Sequence, residues 1–77
     1  MIAKDVVRGK VAGLLRQPAA KLGDATLLSE LVTDSFVLVE MVIELQEELG
    51  VRLSGEELNH VKTVGDLTEL VAAKSGR

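Results

Sequence analysis

The sequence predicts an all-α fold, a four-helix bundle of three longer helices and one short helix, with a long loop between the first and second helices. Three observations carry that expectation. Apolar residues recur at intervals of three and four in three separate segments, no segment alternates with the period of a strand, and Pro18, Gly23, Asp24 and Gly50 punctuate the chain between the periodic runs.

From Ile2 to about Leu15 the apolar residues are Ile2, Val6, Val7, Val11, Leu14 and Leu15, with Lys4, Asp5, Arg8 and Lys10 between them. This is amphipathic helix spacing. Gly9 and Gly13 each weaken it by up to ~1 kcal/mol relative to alanine, so the first helix depends on tertiary packing. Pro18 marks its end, because the residue before a proline is pushed out of the α region. Residues 16–33 then form the long connection, where Leu22, Leu27, Leu28, Leu31 and Val32 are apolar anchors that pin it across the core. Within it, Ser29-Glu30-Leu31 suits a single turn of helix.

The next helix runs from about Ser35 to Leu49, with Gly50 placed to stop it in the left-handed conformation. At 100° per residue, Leu38, Met41, Val42, Leu45 and Leu49 make one core stripe. Phe36, Val39 and Ile43 stand on one flank of it, next to Glu40 and Glu47, while Glu44 and Glu48 continue the acidic face. Two readings of that flank stay open: another helix covers it, or it is a docking patch in which apolar residues supply affinity and carboxylates steer basic partners. Ser54-Gly55-Glu56-Glu57 fits the capping box of a short helix of about two turns carrying Leu58 and Val61 inward. Thr63 and Asp66 then cap a last helix that turns Val64, Leu67, Leu70 and Val71 to the core, and Lys74 to Arg77 should fray.

Seventy-seven residues make at most one domain, and so small a chain buries only ~60% of the surface it exposes unfolded. Starting at Met1 and ending soon after the last periodic segment, it reads as a free-standing domain spanning 1–77 and as a monomer. There is no cysteine to form a disulfide or a thiolate metal site, so stability must come from aliphatic packing. A net charge of −3, a pI near 5.0 and a single aromatic residue, Phe36, argue against nucleic acid as a partner and favour proteins with basic surfaces. Charges fill the first residues where a secretory signal needs its apolar core. No segment approaches the roughly 20 apolar residues of a membrane span. The expected setting is cytoplasmic, without a membrane.

Chemistry concentrates at Thr33-Asp34-Ser35-Phe36, where the loop hands over to the longest helix. A hydroxyl in the first turn lies beside backbone N–H groups without intrahelical partners, at the positive end of the helix dipole, which is a place for a phosphate. Asp34 and Ser35 are also ordinary capping residues, and from these two positions alone the cap is the simpler reading. An enzyme is not expected. Ser35 has no nearby base and no room for an enclosing cleft, and the lone His60 reads as a solvated helix residue. The consecutive glutamates lack the loop spacing of a cation site, so no metal is expected.

Taken together, Leu31-Val32-Thr33-Asp34-Ser35-Phe36 resembles the signature Leu-Gly-x-Asp-Ser-Leu of the acyl carrier proteins and the related peptidyl carriers. Val39-Glu40-Met41-Val42 and Leu45-Gln46-Glu47-Glu48-Leu49 resemble the helix that follows it. Val61-Lys62-Thr63-Val64-Gly65-Asp66-Leu67 is similar to the segment that opens the family's last helix, so the likeness covers almost the whole chain.

The resemblance implies that Ser35 is esterified with 4'-phosphopantetheine by a phosphopantetheinyl transferase, with coenzyme A as donor. Asp34 would cap the helix and help position that enzyme's metal and coenzyme. The arm would then hold acyl groups as thioesters and present them to acyl-loading, condensing or transferring enzymes with basic docking surfaces. Phe36, Val39, Glu40, Ile43 and Glu47 match the family's recognition helix. By position, Leu53 and Val61 would line the arm's path, and Leu38 and Met41 any interior pocket. Val32 stands where the family usually has glycine, Phe36 replaces a common leucine, and Val37 occupies an often acidic position. These departures favour a polyketide or nonribosomal peptide pathway over a carrier of primary fatty-acid synthesis. A helical adaptor without any prosthetic group is the alternative of another class.

Overall fold

The computed structural model describes residues 2–75. It contains α1 (Lys4–Leu15), α2 (Leu28–Leu31), α3 (Ser35–Leu49), α4 (Gly55–Leu58) and α5 (Val64–Ser75), with a 3₁₀ turn at Ala19–Lys21 and no strand among these residues. Three long helices surround one core in which Val7, Val11, Leu45, Leu67 and Val71 lose all contact with solvent. The all-α bundle with its long first connection is the expected one, and the single turn at α2 falls on Ser29-Glu30-Leu31.

Several boundaries differ from the sequence reading, each for a local reason. Helix α1 begins at Lys4 rather than Ile2, because Ala3 is extended (φ −70°, ψ 150°) and the Ile2 N–H donates instead to Ser75 Oγ at 3.1 Å. Its end at Leu15 is the expected one, but the stop is not set by Pro18. Arg16 takes the left-handed conformation at φ 57°, and the Gln17 N–H reaches back to the Ala12 carbonyl at 3.0 Å in a Schellman closure. Pro18 instead leads into the 3₁₀ turn. Helix α4 has a single turn, and Val61 lies beyond it, as does the exposed His60. The expected fraying does not reach Lys74 and Ser75, which stay helical: Lys74 pairs with Glu57 at 2.6 Å, and Ser75 Oγ donates to the Ala72 carbonyl at 2.9 Å. Gly76 and Arg77 lie outside the described residues.

The long connection is pinned, as its leucines suggested, with Leu22 and Leu28 buried. Backbone pairing that no side-chain pattern reveals completes the attachment. The Leu28 N–H donates to the Lys62 carbonyl (2.9 Å), Val64 N–H to Thr26 (2.9 Å) and Gly65 N–H to Asp24 (3.0 Å). Arg8 of α1 holds the same loop through Asp24 while also pairing with Asp5. The start of α5, the loop and α1 therefore meet at Asp24.

Two reciprocal caps organise the second half. Ser54 Oγ accepts from the Glu57 N–H at 3.1 Å while Glu57 accepts from the Ser54 N–H at 3.0 Å. Thr63 Oγ1 accepts from the Asp66 N–H at 3.0 Å, and Asp66 accepts from the Lys62 and Thr63 N–H groups at 3.2 and 3.3 Å. Those backbone donors hold the Asp66 carboxyl below its ordinary range, and Lys74, followed by the Ser54 N–H, does so for Glu57. A depressed carboxyl binds fewer protons folded than unfolded, so its stabilisation is complete above the unfolded pKa and is lost as pH falls through the folded one. Melting temperature should therefore decline as pH drops below about 4.5, the upper end of the ordinary carboxylate range. Asp66→Asn should lower it at neutral pH and flatten the acid limb; an unchanged limb in that variant would assign the acid sensitivity elsewhere.

Candidate functional site at the start of α3

Asp34 and Ser35 divide the work that the sequence left shared between them. Asp34 is the N-cap, extended at φ −93° and ψ 112°, and its carboxylate accepts from the Phe36 N–H at 2.9 Å. Ser35 is the first helical residue. It is exposed, and among the described residues its hydroxyl makes no hydrogen bond. Capping by the neighbour thus leaves the serine oxygen unengaged at the positive end of a 15-residue helix. A phosphate attached there meets the favourable end of the dipole with no side chain to displace, so the residues present fit a phosphodiester.

A groove leads away from Ser35 along Leu38, Leu28 and Val61, with Lys62 the cation on its wall. The same three apolar residues also line a cavity of ≈ 170 Å³ beneath α3, closed by Val42, Leu58 and Leu67. Groove and cavity thus adjoin, with Leu28, Leu38 and Val61 as shared walls. Leu38 and Val61 line both spaces. Met41 and Leu53 do not: both are buried in the core and line neither space. Helical geometry explains Met41, since 100° steps place it on the opposite side of the Leu38–Leu45 stripe from Val39 and Ile43. Val39 and Ile43, together with Gln46, form the cavity's outer rim instead. Gln46, on a flank of α3, and Lys62, in the connection before α5, were not singled out by sequence reasoning, because a lone polar residue gives no signal of what packs beside it.

The flank of α3 is uncovered. Phe36 is 71% exposed, Val39 56% and Ile43 50%, with Val37 beside them at 44%. Among the described residues Glu40, Glu44 and Glu47 are exposed and make no ion pair, whereas Glu48 pairs with Lys10 at 3.3 Å. The face combines apolar surface with unneutralised carboxylates.

A family model described as "Phosphopantetheine attachment site" matches residues 5–71. The chain is 29% identical to an acyl carrier protein of Thermotoga maritima, over 99% of this chain and 100% of that relative. It is 38% identical to an acyl carrier protein homolog of Mycoplasmopsis pulmonis, over 71% of this chain and 75% of the relative. The family match and these relatives describe a carrier of a covalently held group rather than an enzyme. The chain belongs to the acyl carrier family that bears the phosphopantetheine attachment site, and 4'-phosphopantetheine is its prosthetic group.

Proposed function

We propose that Ser35 is the attachment residue and that the chain, a single carrier domain, presents acyl groups to successive partner enzymes. The observation that carries this reading is the exposed serine hydroxyl at the first position of α3, left without a hydrogen bond because Asp34 supplies the cap. Within a phosphopantetheinyl transferase, the Ser35 oxygen loses its proton and forms the new P–O bond, while the pyrophosphate link of coenzyme A breaks and the nucleotide leaves. Once bound, the arm supplies a terminal thiol that holds acyl groups as thioesters. The chain's own part is to hold Ser35 outward, to accept the phosphodiester charge at the helix end, and to offer the groove beside Ser35 and the apolar cavity that adjoins it. The setting is cytoplasmic, the chain monomeric.

The pathway proposed is polyketide or nonribosomal peptide synthesis, supported by the apolar surface that Val32, Phe36 and Val37 place around Ser35. Fatty-acid synthesis is the second reading, favoured by the aliphatic lining of the cavity. Mass spectrometry of the acyl group carried in the native producer decides between them. The attachment itself is tested by coexpression with a broad-specificity phosphopantetheinyl transferase. Intact mass should rise by one arm, and a chain that stays unmodified would make this a helical adaptor.

Partners are proposed to dock on Phe36, Val39, Glu40, Ile43 and Glu47 through basic surfaces. Glu40→Lys should slow arm attachment by roughly tenfold at low salt, with the gap narrowing as salt rises. Because Glu40 is exposed and unpaired, stability should change by no more than about 0.5 kcal/mol. A large drop in melting temperature would instead make the patch part of the structure.

A further inference from the structure

Among the described residues Gln46 is the one polar residue lining the cavity, whose other walls are leucine, valine and isoleucine. Its orientation is fixed from both sides. The side-chain oxygen accepts from the Leu53 N–H at 2.8 Å, so the amide nitrogen takes the other position, where it lies 3.4 Å from the Val42 carbonyl. A primary amide carries two N–H donors. The Val42 contact is long and engages at most one of them, so at least one donor has no protein partner among the described residues. A saturated hydrocarbon chain lying over Gln46 strips water from that donor and leaves it unanswered, whereas a chain bearing an oxygen at that position accepts from it.

We infer that Gln46 is a specificity-determining residue which makes the cavity favour acyl chains carrying a keto or hydroxyl oxygen over fully reduced chains of the same length. The inference rests on Ser35 bearing the acylated arm and on the cavity adjoining the Ser35 groove across Leu28, Leu38 and Val61. A neutral hydrogen bond at this half-buried rim changes the population of the sheltered state by up to about fivefold. The residue acts on the cargo and takes no part in bond-making.

The test loads the chain from synthetic coenzyme A thioesters of one length, one saturated and the others with a keto oxygen at successive carbons, and confirms each loading by intact mass. Two quantities are then read: the Gln46 side-chain amide proton shifts, and the rate of thioester hydrolysis. For at least one keto position, an amide proton should move downfield relative to the saturated chain and hydrolysis should slow about fivefold. Gln46→Glu keeps an acceptor for the Leu53 N–H but has no donor, so the fold is retained while the keto preference disappears; Gln46→Leu removes both. Equal protection of keto and saturated chains in the wild type, or a preference that survives in Gln46→Glu, overturns the inference and leaves attachment at Ser35 intact. Failure to load any chain overturns the attachment itself, and this inference with it.

Discussion

A Ser35→Ala chain should remain at its unmodified mass after coexpression with a phosphopantetheinyl transferase, while its melting temperature stays within about 2 °C of wild type. The first half follows from chemistry: alanine has no oxygen to carry a phosphodiester. The second follows from geometry. The hydroxyl makes no hydrogen bond among the described residues, the side chain is exposed, and alanine is the best helix former at such a site. Asp34→Ala is the complementary variant. It removes the acceptor of the Phe36 N–H and should cost about 1 kcal/mol, yet it leaves the nucleophile in place and so slows modification without abolishing it. If Ser35→Ala were the destabilised variant and Asp34→Ala the neutral one, the two residues would have exchanged the roles assigned to them.

The largest loss of stability is expected from a glycine. A Cβ built on Gly65 would lie 2.8 Å from the Asp24 carbonyl oxygen, closer than real Cβ atoms approach, and a tight 3.1 Å from the Asp24 Cβ. The obstruction is backbone, and it accepts the Gly65 N–H, so it cannot retreat without breaking that bond. Gly65→Val should cost about 3 kcal/mol. At about 4–8 °C per kcal/mol for a domain of this size, the melting temperature should fall by roughly 12 to 24 °C. Gly9→Ala should act in the opposite direction, because nothing lies within 4 Å of where the added methyl would stand and the helix gains by up to about 1 kcal/mol. A mild effect at Gly65 would mean that the loop yields more readily than its bonds suggest.

What the sequence made legible was local. The cap at Asp34, the stop at Gly50 and the reciprocal pairs Ser54–Glu57 and Thr63–Asp66 all depend on residues within a turn of one another, and all take their expected places. The core stripe of α3 was equally readable, since periodicity assigns faces. Periodicity does not say which face meets a void. Val39 and Ile43 border the cavity while Met41 does not, because the choice is made by where α4 and the start of α5 pack. The end of α1 near Leu15 was readable from the apolar run, but its cause was not: a proline announces itself, whereas an arginine in the left-handed region has no signature. Gly65 belonged to a motif whose physical cause only the Asp24 carbonyl, far away in the chain, supplies.

The three backbone bonds between the loop and the start of α5 join segments roughly 35 to 40 residues apart, and closing such a span costs about 3 kcal/mol of chain entropy. Three bonds at a net ~1 kcal/mol each do no more than offset that cost, so burial of Leu22 and Leu28 decides whether the seam holds. The seam is thus a late-forming, early-opening unit set against long helices whose own bonds are local. Amide protons of Leu28, Val64 and Gly65 should exchange with solvent well before those of Val11 and Leu45. Since Leu28 walls both the groove beside Ser35 and the cavity, the same brief openings would set how often the interior admits or releases what the serine carries.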